Sequence, residues 1–378
     1  MTIQKETVLA VHIQTGTESD SMKERRIREL NALIYADGGE VVETKVKKIN
    51  TPHNATFLGK GQLFELNRII AVLGTNVVVF DKELTPAQQR NIESILQSRI
   101  IDRSRLIIDI FARRAHSKYG KLEVEQALLR YLLPRLTGRG VLMSQTGGGV
   151  GTRGPGETKL EIDKRRIKER LTRIKRLIDI VKRQRITQQA KRSSSGTASV
   201  AMVGYTSAGK STLLNTLTKS NMQTSDELFT TLDPVARRIN FKDKSYAIIN
   251  DTVGFIENLP VQLIEAFKTT LDDVVNADIV LHVIDISKPD FEKDIEEVEK
   301  VLYEIGAGDK QVIYVFNKTD MIRDNISVRA VVGRYDRAVA ISAKQGIEIE
   351  LLKDMIHKVL INTKQQVRRV DNELYRAI

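Results

Sequence analysis

The chain of 378 residues contains no cysteine. That excludes disulfides and thiolate metal sites, and it fits a reducing cytoplasm. No stretch approaches the ~18 consecutive apolar residues that a membrane-spanning helix needs. The opening residues, Met1-Thr2-Ile3-Gln4-Lys5-Glu6, are not the start of a signal peptide, and the next apolar run, Thr7 to Ile13, has the length of a strand. The five histidines (His12, His53, His116, His282, His357) are scattered without ligand spacing, as ordinary core or surface histidines are. Internal repeats are absent. What is present is a hydrophobic content of 41%, enough for real cores, in a chain long enough for two or three domains.

Charge is concentrated. The net charge is +12, and the 29 residues from Lys164 to Arg192 hold thirteen Lys/Arg against Glu169 and Asp179, a local net of +11. A run of one sign repels itself, and it makes sense mainly opposite a polyanion.

The N-terminal part alternates strand and helix patterns. Thr7–Ile13, Glu40–Val46 and Asn76–Phe80 predict strands; Asp20–Ala36, Gly61–Leu73 and Thr85–Ser98 predict helices. Ser19 is a plausible N-cap, Gly38-Gly39 a stop, and Pro86 sits in a first turn. Leu106–Phe111 fits either a strand or a helix start. This order predicts an N-terminal α/β subdomain, residues 1–115, with a parallel sheet. Gly59-Lys60-Gly61 lacks the spacing of a phosphate loop and reads as a turn before a helix.

A helical pair follows over residues 116–192. Lys121–Leu136 carries Leu122, Val124, Leu128, Leu129, Leu132 and Leu133. Farther on, Ile167, Leu171, Ile174, Ile178 and Val181 recur at heptad spacing, which implies a narrow packing seam. Together they predict an antiparallel hairpin with the basic residues on its second arm. The connecting stretch 138–156 holds eight glycines, with Arg139 and Arg153 among them. Small residues with arginine suit close approach to a phosphate chain or a crowded RNA pocket. Arg139, Arg153, Arg165, Arg166, Arg170, Arg173 and Arg176 are the candidate RNA-binding residues. Ser193-Ser194-Ser195-Gly196-Thr197 opens a linker, 193–198.

Residues 199–362 predict a second α/β domain of the Ras-like P-loop type, with strands at Ser199–Val203, Val235–Phe241, Tyr246–Asn250, Asp278–Asp285, Gln311–Phe316 and Ala338–Ile341, and a short polar tail over 363–378. Gly204-Tyr205-Thr206-Ser207-Ala208-Gly209-Lys210-Ser211-Thr212 follows the first strand and opens a helix. That is the context in which backbone N–H groups and a helix start cradle phosphates, Lys210 reaches the β/γ-phosphates and Ser211 gives an oxygen to Mg²⁺. Asp251-Thr252-Val253-Gly254 follows the third strand. Asp251 can hold Mg²⁺ through water, and the Gly254 N–H can meet the γ-phosphate. After the fifth strand comes Asn317-Lys318-Thr319-Asp320, whose Asp320 carboxylate suits N1–H and the 2-amino group of guanine; adenine offers neither. Lys318 lays its stem along the loop and base. Ser342-Ala343-Lys344 closes the set, with the Ala343 N–H within reach of guanine O6. Thr230-Thr231 offers a hydroxyl to Mg²⁺ and the γ-phosphate. Five elements in this order point to GTP. Lys210, Thr231 and Gly254 are the catalytic candidates, and Ser211, Thr231 and Asp251 the metal ligands.

These elements resemble the translation-factor-related GTPases. Gly149–Thr158, Phe229-Thr230-Thr231-Leu232-Asp233-Pro234 and Asp251-Thr252-Val253-Gly254-Phe255 resemble one family among them, HflX. Leu84-Thr85-Pro86-Ala87-Gln88-Gln89-Arg90-Asn91 and Asp102-Arg103 look like that family's N-terminal domain. The resemblance implies a cytoplasmic GTPase, monomeric in solution, that binds the large ribosomal subunit and splits idle or stalled ribosomes under stress. It also implies that the glycine-rich stretch reaches ribosomal RNA near the peptidyl-transferase region. Some members carry a further C-terminal domain, for which no room is expected here. Where many GTPases orient the attacking water with a glutamine, this chain has Phe255. Slow intrinsic hydrolysis, accelerated by a partner, is the expectation. Two other readings compete: a membrane-surface GTPase using the basic arm against anionic lipid, and an RNA-binding or ribosome assembly factor whose G domain only senses nucleotide.

Overall fold

A computed structural model describes residues 6–16, 18–136, 159–194, 196–219, 235–252, 254–256, 268–322 and 325–376. Two compact units divide the chain, the first within Met1–Asp179 and the second formed by Ile180–Leu259 with Phe267–Ile378.

The first unit contains strands β1 (Thr7–Thr15), β2 (Glu40–Ile49), β3 (Val77–Phe80) and β4 (Arg99–Ile101), all parallel, in the order β2-β1-β3-β4. Val8 to Ile13 and all of β3 are buried, as expected for strands covered on both faces. Helices α1 (Asp20–Ala36), α2 (Lys60–Leu73), α3 (Pro86–Leu96) and α4 (Arg103–Arg114) connect and follow them. Local chemistry sets their starts. Ser19 caps α1. Thr85 and Gln88 form a reciprocal capping box ahead of Pro86. Gly59 caps α2, where Gln62 accepts its N–H at 3.2 Å, so the Gly59-Lys60-Gly61 turn is a helix entrance.

Leu106–Phe111 is helical, inside α4. A short apolar run cannot distinguish strand from helix by periodicity. What decides is Asp102, which accepts the Arg105 N–H at 2.8 Å as an N-cap. The strand of this region is the three-residue β4, just before it. His12 is fully buried on β1, between Asp81 and Glu18, and Glu18 is in turn held by Arg26 at 2.7 Å.

The hairpin's first arm is α5 (Lys118–Leu132), closed by a 3-10 turn, Leu133–Leu136; its second is the helix Lys159–Ser194. The expected seam is present in part. Ile174 and Ile178 are buried, while Ile167, Leu171 and Val181 are half-buried. Arg170 clasps Glu125 of α5 with two hydrogen bonds, 2.6 and 2.7 Å.

The second unit has a six-stranded sheet, β10-β9-β8-β5-β7-β6, formed by β5 (Ala198–Val203), β6 (Val235–Asn240), β7 (Tyr246–Asp251), β8 (Ile279–Asp285), β9 (Gln311–Asn317) and β10 (Ala338–Ala340). Only β6, at one edge, runs antiparallel. All seven residues of β8 are buried. The main core joins β5, β8 and β9 to the helix Lys210–Thr218 and to the C-terminal helix. That last helix, Ile349–Arg376, continues through the stretch expected as a tail. Among the described residues, no helix is long and apolar enough to cross a membrane.

Candidate nucleotide site

The strand order of the second unit creates a crevice. The chain leaves β5 toward β7 on one side, and β8 lies on the other, so the carboxyl end of β5 is a topological switch point. Four of the five expected motifs follow the carboxyl end of a parallel strand: Gly204–Thr212 after β5, Asp251–Gly254 from β7, Asn317–Asp320 from β9 and Ser342–Lys344 after β10. The fold therefore gathers segments far apart in sequence at one edge of the sheet. Val253, Thr230 and Thr231 lie outside the described residues, as does the whole stretch 138–156 with Arg139 and Arg153.

The phosphate loop is built as its spacing requires. Gly209 has φ +93°, and a Cβ there would overlap the Asn317 amide, so a side chain is barred twice over. Ser207 also has a left-handed φ, 60°. Lys210 opens the helix Lys210–Thr218 and is buried; its Nζ donates to the Gly204 and Tyr205 carbonyls at 2.8 and 2.9 Å. Burial pulls its pKa down to about 8, with Lys288 adding to the effect and Asp251 opposing it. An ammonium held this dry is predisposed to accept an anion.

Ser211 Oγ donates to Asp251 Oδ2 at 3.1 Å, which places two hard oxygen donors side by side at the head of that helix. Asp251 is fully buried. Gly254 lies tight against the loop: a Cβ would stand 2.9 Å from Thr206 Cγ2 and 3.1 Å from Lys210 Nζ. Next to it, Phe255 pairs with the phosphate loop through its backbone. Its N–H donates to the Gly204 carbonyl at 3.1 Å, and its carbonyl accepts from Thr206 N at 2.8 Å. The Phe255 ring is buried in a second core with Val203, Leu271, Val274 and Val280.

The loops expected to read the base are tied to the phosphate loop through Asn317. Asn317 Nδ2 donates to the Ala208 carbonyl at 2.8 Å, and Asn317 Oδ1 accepts the Ala343 N–H at 2.9 Å. In this structure the Ala343 N–H expected at guanine O6 is thus engaged by Asn317. Asp320 accepts from Ser342 Oγ at 2.5 Å. Lys318 has φ +69° and pairs with Asp285 at 2.7 Å. Thr212 lies on the helix opened by Lys210, and Lys344 is exposed beyond Ala343.

Two participants escape sequence reasoning. Asp285 ends the fully buried strand β8 directly opposite Asn317 of β9, and it also takes the N–H and hydroxyl of Ser287. Thr216 Oγ1 donates to the Ala343 carbonyl at 2.9 Å, linking the Lys210–Thr218 helix to the Ser342–Lys344 loop. A carboxylate closing a strand whose other residues are apolar save His282 was the available signal for Asp285; Thr216 had none.

The basic helix presents Arg165, Arg166, Arg173 and Arg176 exposed to solvent. The intrahelical pairs Arg165–Glu169 and Arg166–Asp163 are long, 3.8 and 3.9 Å. Arg170, by contrast, is engaged with Glu125.

Comparison with known proteins covers the whole organisation. Residues 24–112 match the family model described as GTP-binding GTPase N-terminal, 114–192 its middle region, and 199–318 the model described as 50S ribosome-binding GTPase. The GTPase HflX of Flavobacterium psychrophilum is 44% identical over 84% of this chain and 76% of its own length. That of Caldanaerobacter subterraneus subsp. tengcongensis is 42% identical over 96% of this chain and 82% of its own. The crystal structure of the SsGBP–GDP complex has the same fold at 23% identity and a TM-score of 0.50, covering 94% of this chain and 99% of that one.

Proposed function

Since the chain belongs to the HflX family of GTPases and hydrolyses GTP, we propose that it does so in the cytoplasm on the large ribosomal subunit, dissociating stalled or idle ribosomes under stress. The observation that carries this reading is the basic helix. Arg166, Arg173 and Arg176 are exposed to solvent, where a polyanion can reach them. The match to a 50S ribosome-binding family model says which polyanion to test first.

Chemically, phosphoryl transfer asks the protein for position and charge neutralisation. Lys210 supplies a desolvated cation and the loop N–H groups a cradle. Ser211 and Asp251 offer the hard oxygens that suit Mg²⁺, with Thr231 as the further ligand expected from the sequence. Bound there, Mg²⁺ would neutralise charge on the β- and γ-phosphates. Phe255 cannot orient water, and its ring faces the core. The intrinsic reaction is therefore slow, and ordering of the loops around Thr231 and Gly254 by the subunit accelerates it. In this scheme the glycine-rich stretch 138–156 contacts ribosomal RNA near the peptidyl-transferase region.

Density-gradient sedimentation of ribosomes with GTP, GDP or a non-hydrolysable analogue tests the proposal. Free subunits should accumulate with GTP, and the protein should comigrate with the large subunit in the analogue. Equal comigration with GDP and with analogue would overturn it, because a nucleotide drives a switch only through its differential affinity.

A further inference from the structure

One residue separates the stretch 138–156 from a turn that the first unit fastens through many contacts. Arg135 lies in the 3-10 turn Leu133–Leu136. Its Nε donates to Gln89 Oε1 at 2.9 Å and its Nη1 to the Tyr131 carbonyl at 3.1 Å. Its Nη2 reaches the Leu84 carbonyl at 2.7 Å and Asp102 Oδ2 at 2.9 Å. The guanidinium carbon stands 3.5 Å from the Tyr131 ring centroid, and the Tyr131 hydroxyl donates to Asp102 Oδ1 at 3.0 Å. Asp102 is fully buried and also accepts the N–H groups of Leu84 and Arg105. The Leu84–Asn91 stretch and Asp102, singled out in the sequence without a task, meet here.

A buried ion pair is weak evidence of stability, since apolar residues of similar volume often hold a fold as well. What apolar residues cannot do is fix a direction. A planar guanidinium with acceptors supplied from before α3, from α3, from before α4 and from α5 is seated in one orientation only. We propose that Asp102 and Arg135 are positioning residues that hold the turn Leu133–Leu136, and so set where the chain departs into 138–156. Binding to the large subunit then depends on this clasp while nucleotide chemistry does not. The inference rests on the reading that 138–156 engages the subunit.

The absence of native cysteine makes the test direct, because only introduced thiols take a label. Nitroxides at Phe64→Cys, on α2, and Pro134→Cys, in the turn, report their distance distribution in the intact chain by pulsed electron resonance. A narrow distribution should broaden with Arg135→Ala; unchanged width overturns the proposal. Arg135→Lys keeps the charge without the fork and should broaden it too, whereas full rescue by lysine would also overturn it. If Arg135→Ala fails to fold, Tyr131→Phe, which keeps the ring and removes one hydrogen bond, should still broaden the distribution measurably. In sedimentation with the purified large subunit and GTP analogue, Arg135→Ala should bind about tenfold more weakly, with ribosome-free GTP turnover within about twofold of the parent. Equal binding refutes the positioning role. A parent chain that does not bind the subunit refutes the functional reading instead, and the distance measurement still decides on the clasp.

Discussion

Replacing Asn317 with alanine should damage the second unit twice. The side chain is 2% exposed and serves two buried backbone groups, the Ala208 carbonyl and the Ala343 amide. Leaving a buried polar group unpaired costs about 1–3 kcal/mol, so the two together set a total of about 2–6 kcal/mol. Both bonds lie within the protein itself, so most of the loss should appear as stability of the unit. The rest appears in binding, because the ligand must now order two loops that Asn317 no longer joins. A 10- to 100-fold weaker GDP affinity would absorb about 1.4–2.8 kcal/mol of that total. Urea unfolding followed by circular dichroism reads the first share, and titration with a fluorescent GDP analogue reads the second. A variant within about 1 kcal/mol of the parent in stability, and within roughly threefold in affinity, would refute the bridging argument.

Three further predictions rest on separate features. The folded pKa of Lys210, about 8, lies below that of a free lysine, and a bound phosphate should raise it again. Nucleotide binding should therefore take up protons above pH 8 and weaken as pH rises, which calorimetry in buffers of different ionisation enthalpy detects; no proton uptake at pH 8.5 would sink the idea. Burial lowers the pKa of His12, but the hydrogen bonds and charges of Asp81 and Glu18 outweigh it and raise the net value. Its contribution to stability is thus fully present below the unfolded value of about 6.5 and is lost as pH rises through the higher folded value. Hydrogen exchange in β1 peptides, corrected for intrinsic rates, should accelerate across that window, and His12→Gln should remove the change. Finally, Phe255→Gln should not speed intrinsic hydrolysis, since the side chain points into the core; it should lower the melting temperature by several degrees, through lost burial and an unpaired amide. Faster turnover in that variant would place residue 255 at the reacting water.

The phosphate loop was legible because its chemistry is local. The spacing from Gly204 to Lys210 dictates the loop, and Asp320, by the groups it can accept, is the residue expected to read a guanine. The parallel sheets were legible too, through apolar runs alternating with capped helices. What escaped was whatever depends on a partner remote in sequence. Phe255 was expected to matter for lacking a hydrogen-bonding group; its ring turns out to be a core residue beside Val203 and Val280. Ala343 is expected at a base, and spacing alone did not show that a side chain 26 residues earlier also accepts its N–H. Leu106–Phe111 could not be typed from its own composition, because the deciding residue, Asp102, precedes it. The heptad seam showed its spacing but not its depth, and only Ile174 and Ile178 are buried within it.

The double engagement of Asn317 also bears on how ligand preference can drift. Asp320 interacts with the neighbouring Ser342 hydroxyl, one loop away from the phosphate cradle. If Asp320 reads the base, as the sequence leads one to expect, a change there would alter which purine is accepted while the cradle stays intact, so intermediates on the way to a new preference would remain competent. A change at Asn317 unfastens both loops at once and offers no such neutral path. Two residues three apart in one motif therefore differ in evolvability: one is a dial, the other a rivet.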